Sequence, residues 1–341
     1  MPLPVVVHAL LIGGTRFIGR HTVDDLLAHG YDVTLFNRGN SENPFADHDD
    51  VAHVTGDRHD HDALKAARDE ADPDIVIDFV AMAPAHAETA TDIFADVDAY
   101  VLVSSAAAYA RTDVPMREDE TPLHEYTEEH VPDDPADAMD VSVSESYGPR
   151  KAECDRVCFA AAEEGVNALV VRPTYVFGPY DYTERYDYWV DRVAHHDRVL
   201  VPSDGDALAH QAYVEDVASA LRVVAEEGTP GEAYNVATRR ELPVDERLRT
   251  IADALDTDVE VVHASERELG AHDLTTFDFP LVLPVPVLAA TDKLAALGWE
   301  ATDNETAIAR TVGEHLESDR TGRANGPDRA VEEQVIEALE D

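Results

Sequence analysis

The chain has 341 residues, enough for one large domain or two modest ones, and 44% of them are hydrophobic. It carries 71 acidic and 26 basic residues, a formal net charge of −45. This charge argues against a nucleic-acid-binding protein, because no basic patch in the sequence offsets the repulsion of phosphates. The sequence has no signal peptide and no apolar run as long as the roughly 18 residues of a membrane-spanning helix, so we expect a cytoplasmic protein without a membrane partner.

The acidic residues are spread along the whole chain. This pattern indicates a halophilic source, since the screening length falls to about 3 Å in molar salt and self-repulsion is then weak. An acidic interaction protein would carry its charge in blocks. The two cysteines, Cys154 and Cys158, are one helical turn apart and are predicted to be buried thiols on a helix. We predict no metal site.

Residues 5–12 form an apolar run rich in β-branched residues, which predicts a buried strand. A helical pattern then extends to Gly30, and between them lie Gly13, Gly14, Thr15, Arg16, Phe17, Ile18 and Gly19. Gly13 permits a sharp turn, and Gly14 and Gly19 let the backbone approach a ligand closely. A strand, a glycine turn and a helix N-terminus together bind the pyrophosphate of a dinucleotide. The alternative is an ordinary strand-to-helix turn, because Arg16 replaces the middle glycine of the usual pattern.

The second strand, predicted at residues 31–36, is followed by Asn37 and Arg38. A site for NAD usually has an acidic residue here that binds the ribose 2′-hydroxyl, whereas an arginine pairs with the 2′-phosphate of NADP. The sequence therefore favours NADP as the cofactor and leaves NAD possible. The alternative is that Arg38 is a solvated turn residue.

Further strands are predicted at residues 51–54, 75–79, 100–103 and 168–171, with helical patterns between them. This alternation is typical of an α/β protein, here a Rossmann-type doubly wound parallel sheet with a smaller C-terminal substrate domain. The expected parts are a dinucleotide-binding domain at 1–175, a substrate-binding domain at 176–318 that is interleaved with the first, and a polar, acidic tail at 319–341. The tail is expected to end in a short acidic helix that is loosely held.

Two segments outside these strands have distinctive compositions. Residues 112–140 are acidic and proline-rich, which predicts a loop over the cleft. Residues 180–189 contain five aromatic side chains, Tyr180, Tyr182, Tyr186, Tyr188 and Trp189. Such a run either contacts a sugar or nucleotide or forms the core of a helix, and the sequence leaves both open.

Tyr147 and Lys151 are four residues apart at the start of a helical pattern, so they lie on one face of one helix. An ammonium group one turn away lowers the pKa of a phenol and prepares its hydroxyl for proton transfer. Ser105 follows the strand predicted at 100–103 and can hydrogen-bond the same substrate oxygen. These three residues are the candidate catalytic groups. The alternative is a surface Tyr–Lys pair.

These motifs resemble those of extended, atypical short-chain dehydrogenases/reductases of the NAD-dependent epimerase/dehydratase family. The matching segments are Gly-Gly-Thr-Arg-Phe-Ile-Gly at 13–19, Gly-Asp-Arg at 56–58, Ser-Ser at 104–105 with Tyr109, Tyr-Gly-Pro-Arg-Lys at 147–151, Arg-Pro-Thr-Tyr-Val-Phe-Gly-Pro at 172–179, Tyr-Val-Glu-Asp-Val-Ala at 213–218 and Tyr-Asn-Val at 234–236. They span most of the chain in the expected order. The first segment is similar to the branch that includes chloroplast stem-loop-binding proteins.

The resemblance implies roles for residues that the spacing arguments do not reach. Asp57 would contact the adenine, and Ala81 and Pro173 would line the nicotinamide. Lys151 would hold the nicotinamide ribose, and Ser105 would polarise the substrate carbonyl. The resemblance also implies a homodimer formed through helices near residues 85–98 and 150–164.

The leading hypothesis is an NAD(P)-dependent oxidoreductase or epimerase that acts on a hydroxyl or carbonyl carbon, with Tyr147 as acid and base. A nucleotide sugar or a small carbonyl compound is the substrate class that the resemblance implies. The alternative is a non-catalytic NADP-binding or RNA-associated scaffold. Residues 83–98 contain no asparagine for the family's usual fourth catalytic position, which favours the scaffold, whereas the charge of −45 opposes RNA binding.

Overall fold

The computed structural model of the chain describes residues 6–130 and 145–340. The strands are β1 (His8–Ile12), β2 (Asp32–Asn37), β3 (Val51–Thr55), β4 (Ile75–Asp78), β5 (Ala99–Val103), β6 (Ala168–Pro173), β7 (Tyr175–Phe177), β8 (Arg198–Pro202), β9 (Gln211–Tyr213), β10 (Ala233–Val236) and β11 (Glu260–Ala264). The helices are α1 (Phe17–Ala28), α2 (His61–Ala71), α3 (Pro84–Ile93), α4 (Tyr147–Glu163), α5 (Arg185–His195), α6 (Val214–Glu227), α7 (Val244–Ala254), α8 (Glu266–Gly270), α9 (Asp292–Ala295), α10 (Asn304–Glu317) and α11 (Arg329–Ala338).

Within the described residues, seven strands form a parallel sheet in the order β10-β6-β5-β4-β1-β2-β3. Helices α2, α3 and α4 pack on one face through apolar residues such as Leu64, Ala87 and Cys154. Helices α1 and α6 pair with each other, and α6 also packs on β5 and β6. Helices that cover a parallel sheet bury its strands, which explains why all five residues of β5 are buried and why the strands read as apolar runs. The Rossmann-type prediction is confirmed.

The observed strands differ from the predicted ones mainly at their ends. Strand β1 begins at His8 rather than residue 5: Val6 and Val7 precede it, and Val5 lies outside the described residues. The backbone N–H of His8 donates to Asp74 Oδ2 at 2.7 Å, which fixes the start of the strand. Gly30 has a φ of 81° just after α1, as a glycine that ends a helix should.

The strand order places the candidate ligand crevice. From β1 the chain runs to β2 and β3 on one side, whereas β4, β5 and β6 extend the sheet on the other. In open parallel sheets, ligands bind outside the carboxyl ends of the strands, at the point where the strand order reverses. Here that point lies between β1 and β4. In the described part of the chain, no helix is both long enough and apolar enough to cross a membrane.

The described chain divides into two compact units that exchange segments. The first, called the sheet unit, contains the residues up to Thr174 with Val214–Val236 and Ala289–Glu300. The second unit contains Tyr175–Tyr213, Ala237–Leu288 and the residues from 301 onward. Strand β10 explains the exchange, since it pairs with β6 and so returns a late part of the chain to the sheet.

The second unit contains two small parallel pairs, β7 with β9 and β8 with β11. The aromatic run of residues 180–189 leads into its helix α5. Tyr186, Tyr188 and Trp189 are fully buried there, so they form core, whereas Tyr180 and Tyr182 are exposed.

The expected polar tail at 319–341 contains a packed helix over its described residues. Val335 and Ile336 of α11 are buried, and Glu332 beside them is completely buried. Arg192 Nε of helix α5 donates to Glu332 Oε1 at 2.8 Å, and the Tyr188 hydroxyl donates to the same oxygen at 2.6 Å. One acidic residue of this segment therefore forms a buried ion pair with helix α5.

A buried carboxyl group makes the stability of the second unit depend on pH. Glu241 Oε1 accepts from Arg247 Nη2 at 3.0 Å, and its Oε2 accepts from the Gln211 N–H at 3.0 Å. Burial raises the pKa of Glu241 from 4.5 to about 7, although Arg247 opposes the shift. The folded chain thus holds this proton more tightly than the unfolded chain, and the free energy of unfolding falls as the pH rises from about 4.5 to about 7.

We expect Glu241→Gln to remove this dependence while it retains the hydrogen-bonding shape. Relative to the wild type, the variant should gain about 3 kcal/mol between pH 5 and pH 8. Denaturant unfolding at both pH values measures the difference, with Glu246→Gln as the matched control on helix α7. Equal shifts for the two variants would contradict this assignment.

Candidate active site

The predicted site residues follow the carboxyl ends of neighbouring parallel strands. Because all strands of the sheet run in one direction, these ends lie along one edge. The residues are Gly13 after β1, Asn37 at the end of β2, Asp57 after β3, Ala81 after β4, Ser105 after β5 and Pro173 at the end of β6. The fold therefore aligns segments that are up to 160 residues apart in sequence.

The glycine turn after β1 is too tight for side chains. Gly13 and Gly14 have φ values of 111° and 93°, which favour glycine. A Cβ on Gly14 would lie 2.6 Å from Leu35 Cδ2, and one on Gly19 would lie 2.5 Å from Gly14 Cα. The Gly13 N–H donates to Phe36 O at 2.9 Å, which ties the turn to β2. Two of the predicted glycines therefore bring the first turn of α1 against the end of β1.

The N-terminus of α1 suits an anion. Arg16 precedes the helix, and its guanidinium has no acceptor atom with which to cap the first N–H groups. The first turn contains no acidic residue, so the helix carries no carboxylate of its own at its positive end. Thr15 and Ile18 are half-buried beside it. Phe17 has a φ of 31°, a strained value that tends to occur at functional turns.

The ends of β2 and β3 carry the candidate groups for the adenosine half of a dinucleotide. The Asn37 amide donates to Gly13 O at 3.4 Å and accepts from the Gly39 N–H at 2.9 Å, so Asn37 connects β2 to the glycine turn. Arg38 is exposed. The backbone N–H of His59 lowers the pKa of Asp57, and the positive charge of Arg38 lowers it further. Asp57 and Arg38 are thus neighbours at this edge.

A buried ion pair, which the sequence patterns do not predict, joins two of these strand ends. Arg58 Nη2 donates to Asp78 Oδ2 at 2.7 Å, and both side chains are at most 6% exposed. Asp78 also accepts from the Tyr100 hydroxyl at 3.1 Å and from the Val80 N–H at 2.9 Å. The pair therefore holds the turn of Asp57 against the segment that leads to Ala81. Two sequence features could have indicated this pair. Arg58 is a basic residue next to Asp57, and Asp78 is an acidic residue at the end of an apolar strand.

Lys151 lies where the ends of β4 and β5 meet. Its Nζ donates to Ala81 O and to Val103 O, each at 2.9 Å, and the residue is 1% exposed. Two carbonyls compensate a buried ammonium only in part, since each carries a partial charge. Ala81 therefore contacts Lys151 through its backbone carbonyl rather than its side chain. The contacts fix helix α4 and the direction of its first turn.

Tyr147, the first residue of α4, is half-buried, and close packing brings its helix against the loop of Ser105. A Cβ on Gly148 would lie 2.4 Å from Ala107 O. Ser105 Oγ in turn accepts from the Ala107 N–H at 3.1 Å. Helix α4 and the loop after β5 therefore meet at Gly148, one residue from Tyr147 and near Ser105.

Pro173 is buried at the end of β6, beside a polar network. Arg172 Nε donates to Asp155 Oδ2 at 2.8 Å, and Arg172 Nη1 donates to the Tyr109 hydroxyl at 3.0 Å. That hydroxyl donates to Asn235 Oδ1 at 2.8 Å. These motif residues hold β6, β10 and α4 together in the interior, so we assign them a structural role.

Cys154 and Cys158 are buried on α4, as predicted, and burial raises the pKa of Cys154 to about 12. Within residues 6–130 and 145–340, His, Cys, Asp and Glu side chains form no group of three or more that could hold a metal ion.

The contact between Gly19 and Gly14 gives a direct test of the turn. We expect Gly19→Ala to weaken binding of a nicotinamide dinucleotide at least tenfold, because the added methyl group must push the glycine turn away from α1. Isothermal titration calorimetry with NADPH and NADH measures the loss. Gly313→Ala is the control: it adds a methyl group to helix α10 in open space and should leave affinity unchanged while stabilising the fold by about 1 kcal/mol. Unchanged affinity in Gly19→Ala would place the ligand elsewhere.

Comparison with known proteins identifies the family of the chain. Residues 9–237 match the model of the NAD dependent epimerase/dehydratase family. The chain is 26% identical over 283 residues to the chloroplast stem-loop binding protein of 41 kDa b from Arabidopsis thaliana, covering 79% of this chain and 69% of that protein. It is 26% identical over 323 residues to the low-salt glycan biosynthesis protein Agl12 from Haloferax volcanii, covering 86% and 93% of the two chains.

Solved structures share the fold. The dTDP-glucose 4,6-dehydratase from Bacillus anthracis in complex with NAD superposes with a TM-score of 0.69 at 20% identity, covering 94% of this chain and all of that one. The UDP-glucose 4-epimerase from Thermotoga maritima with UDP-glucose gives 0.69 at 19% identity, covering 91% and 99%. The family match extends from the second residue of β1 through β10 and includes the glycine turn, Tyr147 and Lys151. The chain is therefore a member of the NAD dependent epimerase/dehydratase family.

Proposed function

We propose that this protein is a nicotinamide-dependent oxidoreductase or epimerase that acts on a hydroxyl-bearing carbon of a nucleotide sugar. One observation carries the proposal: Lys151 Nζ is held by Ala81 O and Val103 O at the crevice edge, on the helix that begins with Tyr147. The substrate class is supported by relatives named as dTDP-glucose 4,6-dehydratases and by the UDP-glucose in the epimerase neighbour.

The residues present fit a dinucleotide. The close approach of Gly14 and Gly19 leaves backbone where a Cβ would otherwise stand, and the N-terminus of α1 would hold the pyrophosphate. Asp57 would contact the adenine, and the half of the ligand with the redox ring would lie toward Lys151 and Pro173. When bound, a nicotinamide cofactor accepts or returns a hydride.

Side chains of the protein itself transfer the proton of the substrate hydroxyl. Tyr147 removes the proton from the substrate hydroxyl and returns it in the reverse direction. Lys151 lies one turn along the same helix, where its ammonium group would hold the nicotinamide ribose. The Ser105 hydroxyl hydrogen-bonds the substrate oxygen and keeps it in line with Tyr147.

We infer further that Arg38 favours NADP. It is exposed directly after β2, where NAD-binding sites usually carry an acidic residue. Asn37 and Arg38 stand at this position instead. We expect NADPH to bind about tenfold more tightly than NADH, and Arg38→Glu to reverse the order because a carboxylate repels the 2′-phosphate. Calorimetry with both cofactors measures this preference, and Arg249→Glu, an exposed arginine of the second unit, is the control. Equal affinities in the wild type would refute the role of Arg38.

The function itself is tested by incubating the protein with NADP or NAD and UDP-glucose in molar KCl. We expect reduced nicotinamide, seen by its absorbance, or an epimerised sugar, seen by proton NMR. A non-catalytic scaffold would bind the cofactor and yield neither product. A stem-loop RNA that binds in the same salt would support an RNA-associated role, which the charge of −45 opposes.

A further inference from the structure

The side chains of Asp57 and His59 meet in the turn after β3, in a contact that none of the roles above uses. Asp57 Oδ1 accepts from the backbone N–H of His59 at 3.0 Å and lies 2.7 Å from His59 Nδ1. The backbone bond lowers the pKa of Asp57, so its carboxylate is ionised at neutral pH. Because an ionised carboxylate has no proton to donate, His59 Nδ1 is the donor of the second bond. Two donors of one residue therefore hold a single oxygen of Asp57.

The second oxygen of Asp57 is left for a ligand. Within residues 6–130 and 145–340, the hydrogen bonds of the Asp57 side chain all go to Oδ1, and the side chain is 46% exposed. The positive charge of Arg38, which follows β2, acts on the same carboxylate. Because β2 lies between β3 and β1 in the sheet, the carboxylate stands on the crevice side of its turn.

The ring of His59 is itself held by His86 of helix α3. The two ring centroids are 4.8 Å apart and the ring planes meet at 70°, which is an edge-to-face contact. His86 is buried, and its Nδ1 accepts from the Met82 N–H at 3.2 Å. Burial lowers the pKa of His86 to about 3, and the charge of Arg58 adds to this effect, so the ring stays neutral. His59 is therefore fixed between Asp57 and the first turn of α3.

We propose that His59 is a positioning residue that aims Asp57 Oδ2 at the 6-amino group of a bound purine nucleotide, so that the site discriminates adenine from 6-oxopurines. The inference rests on the proposed function, because it takes the adenosine half of the cofactor to lie at Asp57. A carboxylate accepts from the N–H of a 6-amino group, whereas the oxygen of a 6-oxopurine is itself an acceptor and is repelled. The two bonds from His59 remove the rotation that would otherwise weaken this discrimination.

The test compares NADH with reduced nicotinamide hypoxanthine dinucleotide, which carries a carbonyl oxygen in place of the 6-amino group. Neither compound has a 2′-phosphate, so a preference for NADP does not enter the ratio of their affinities. We expect the wild type to bind NADH about tenfold more tightly, as one hydrogen bond to a charged group would give. Isothermal titration calorimetry in molar KCl measures both dissociation constants.

Two variants separate the donor of His59 from its ring. His59→Asn keeps an N–H at the place of Nδ1 and loses the ring, so the preference for NADH should stay about tenfold. His59→Phe keeps a ring against His86 and loses the donor, so the preference should fall to about threefold or less. A residue that only packs would give the opposite order. His61→Asn, at an exposed histidine of the same segment, is the matched control and should leave the ratio unchanged.

A double variant tests whether His59 acts through Asp57. Asp57→Asn alone should lower the preference for NADH, because the amide that replaces the carboxylate is uncharged. Adding His59→Phe to it should change the ratio no further, since the acceptor that His59 positions is already gone. Thermal melts establish that each variant is folded.

The possible failures can be told apart. Equal affinities of the wild type for the two dinucleotides would overturn the inference alone, as would a preference that survives in His59→Phe and is lost in His59→Asn. A tenfold preference without any reduced nicotinamide or epimerised sugar from UDP-glucose would overturn the proposed function alone. A protein that binds neither dinucleotide would overturn both.

Discussion

Tyr147→Phe is expected to lower turnover of a nucleotide sugar about 1,000-fold while dinucleotide affinity stays at the wild-type value. The substitution removes only the hydroxyl oxygen, so helix α4 and the contacts of Lys151 with Ala81 and Val103 remain. Substrate oxidation then has no group that can take the hydroxyl proton. Steady-state kinetics and cofactor calorimetry on the same preparation separate the two effects.

Tyr31→Phe is the control, because Tyr31 precedes β2 at the amino ends of the parallel strands, opposite the crevice edge, and its hydroxyl donates to Glu226 Oε1 at 2.7 Å. It should retain full turnover. If Tyr147→Phe also turned over at the wild-type rate, the acid–base role would belong to another residue and the assignment of this site would be wrong.

Asp78→Ala is expected to cost about 3–5 kcal/mol in the free energy of unfolding, because it leaves the buried Arg58 guanidinium without its carboxylate. It also removes the acceptor for the Tyr100 hydroxyl and the Val80 N–H. Urea unfolding followed by circular dichroism measures the loss. Part of this cost should return in the double variant Arg58→Met with Asp78→Ala, which removes the stranded charge.

Asp96→Ala provides the comparison, since it breaks an ion pair with Arg68 whose side chains are 29% and 69% exposed. An exposed pair of this kind contributes roughly 1 kcal/mol or less. Equal losses in Asp78→Ala and Asp96→Ala would show that the Arg58–Asp78 pair does not hold the strand ends together.

The sheet was predictable from sequence because its strands are buried on both faces. Such strands appear as uninterrupted apolar runs, and each is followed by the turn residues of the crevice. The glycine turn was predictable for a related reason: the steric limits at Gly14 and Gly19 permit only glycine, so the constraint is visible in the residue type.

Other features depend on contacts that a single sequence does not reveal. Arg58 and Asp78 are 20 residues apart, and Arg192 and Glu332 are 140 apart, so neither pairing follows from local pattern. The sequence predicts a short acidic helix near α11 but not its packing, because the buried Glu332 looks like a surface residue until its partner is known. The short strands β7 and β9 escape detection because three residues show no periodicity.

The site residues, the NADP preference, the homodimer, the halophilic source and the cytoplasmic location stay predictions. Family membership and the fold support the general class of chemistry.

A crystal structure of the protein grown with NADPH in molar KCl tests the central claim most directly. We predict the pyrophosphate on the backbone N–H groups of residues 14–18, and the nicotinamide ribose within hydrogen-bonding distance of Lys151 Nζ and the Tyr147 hydroxyl. A cofactor bound away from the end of β1, or a ribose remote from helix α4, would contradict it.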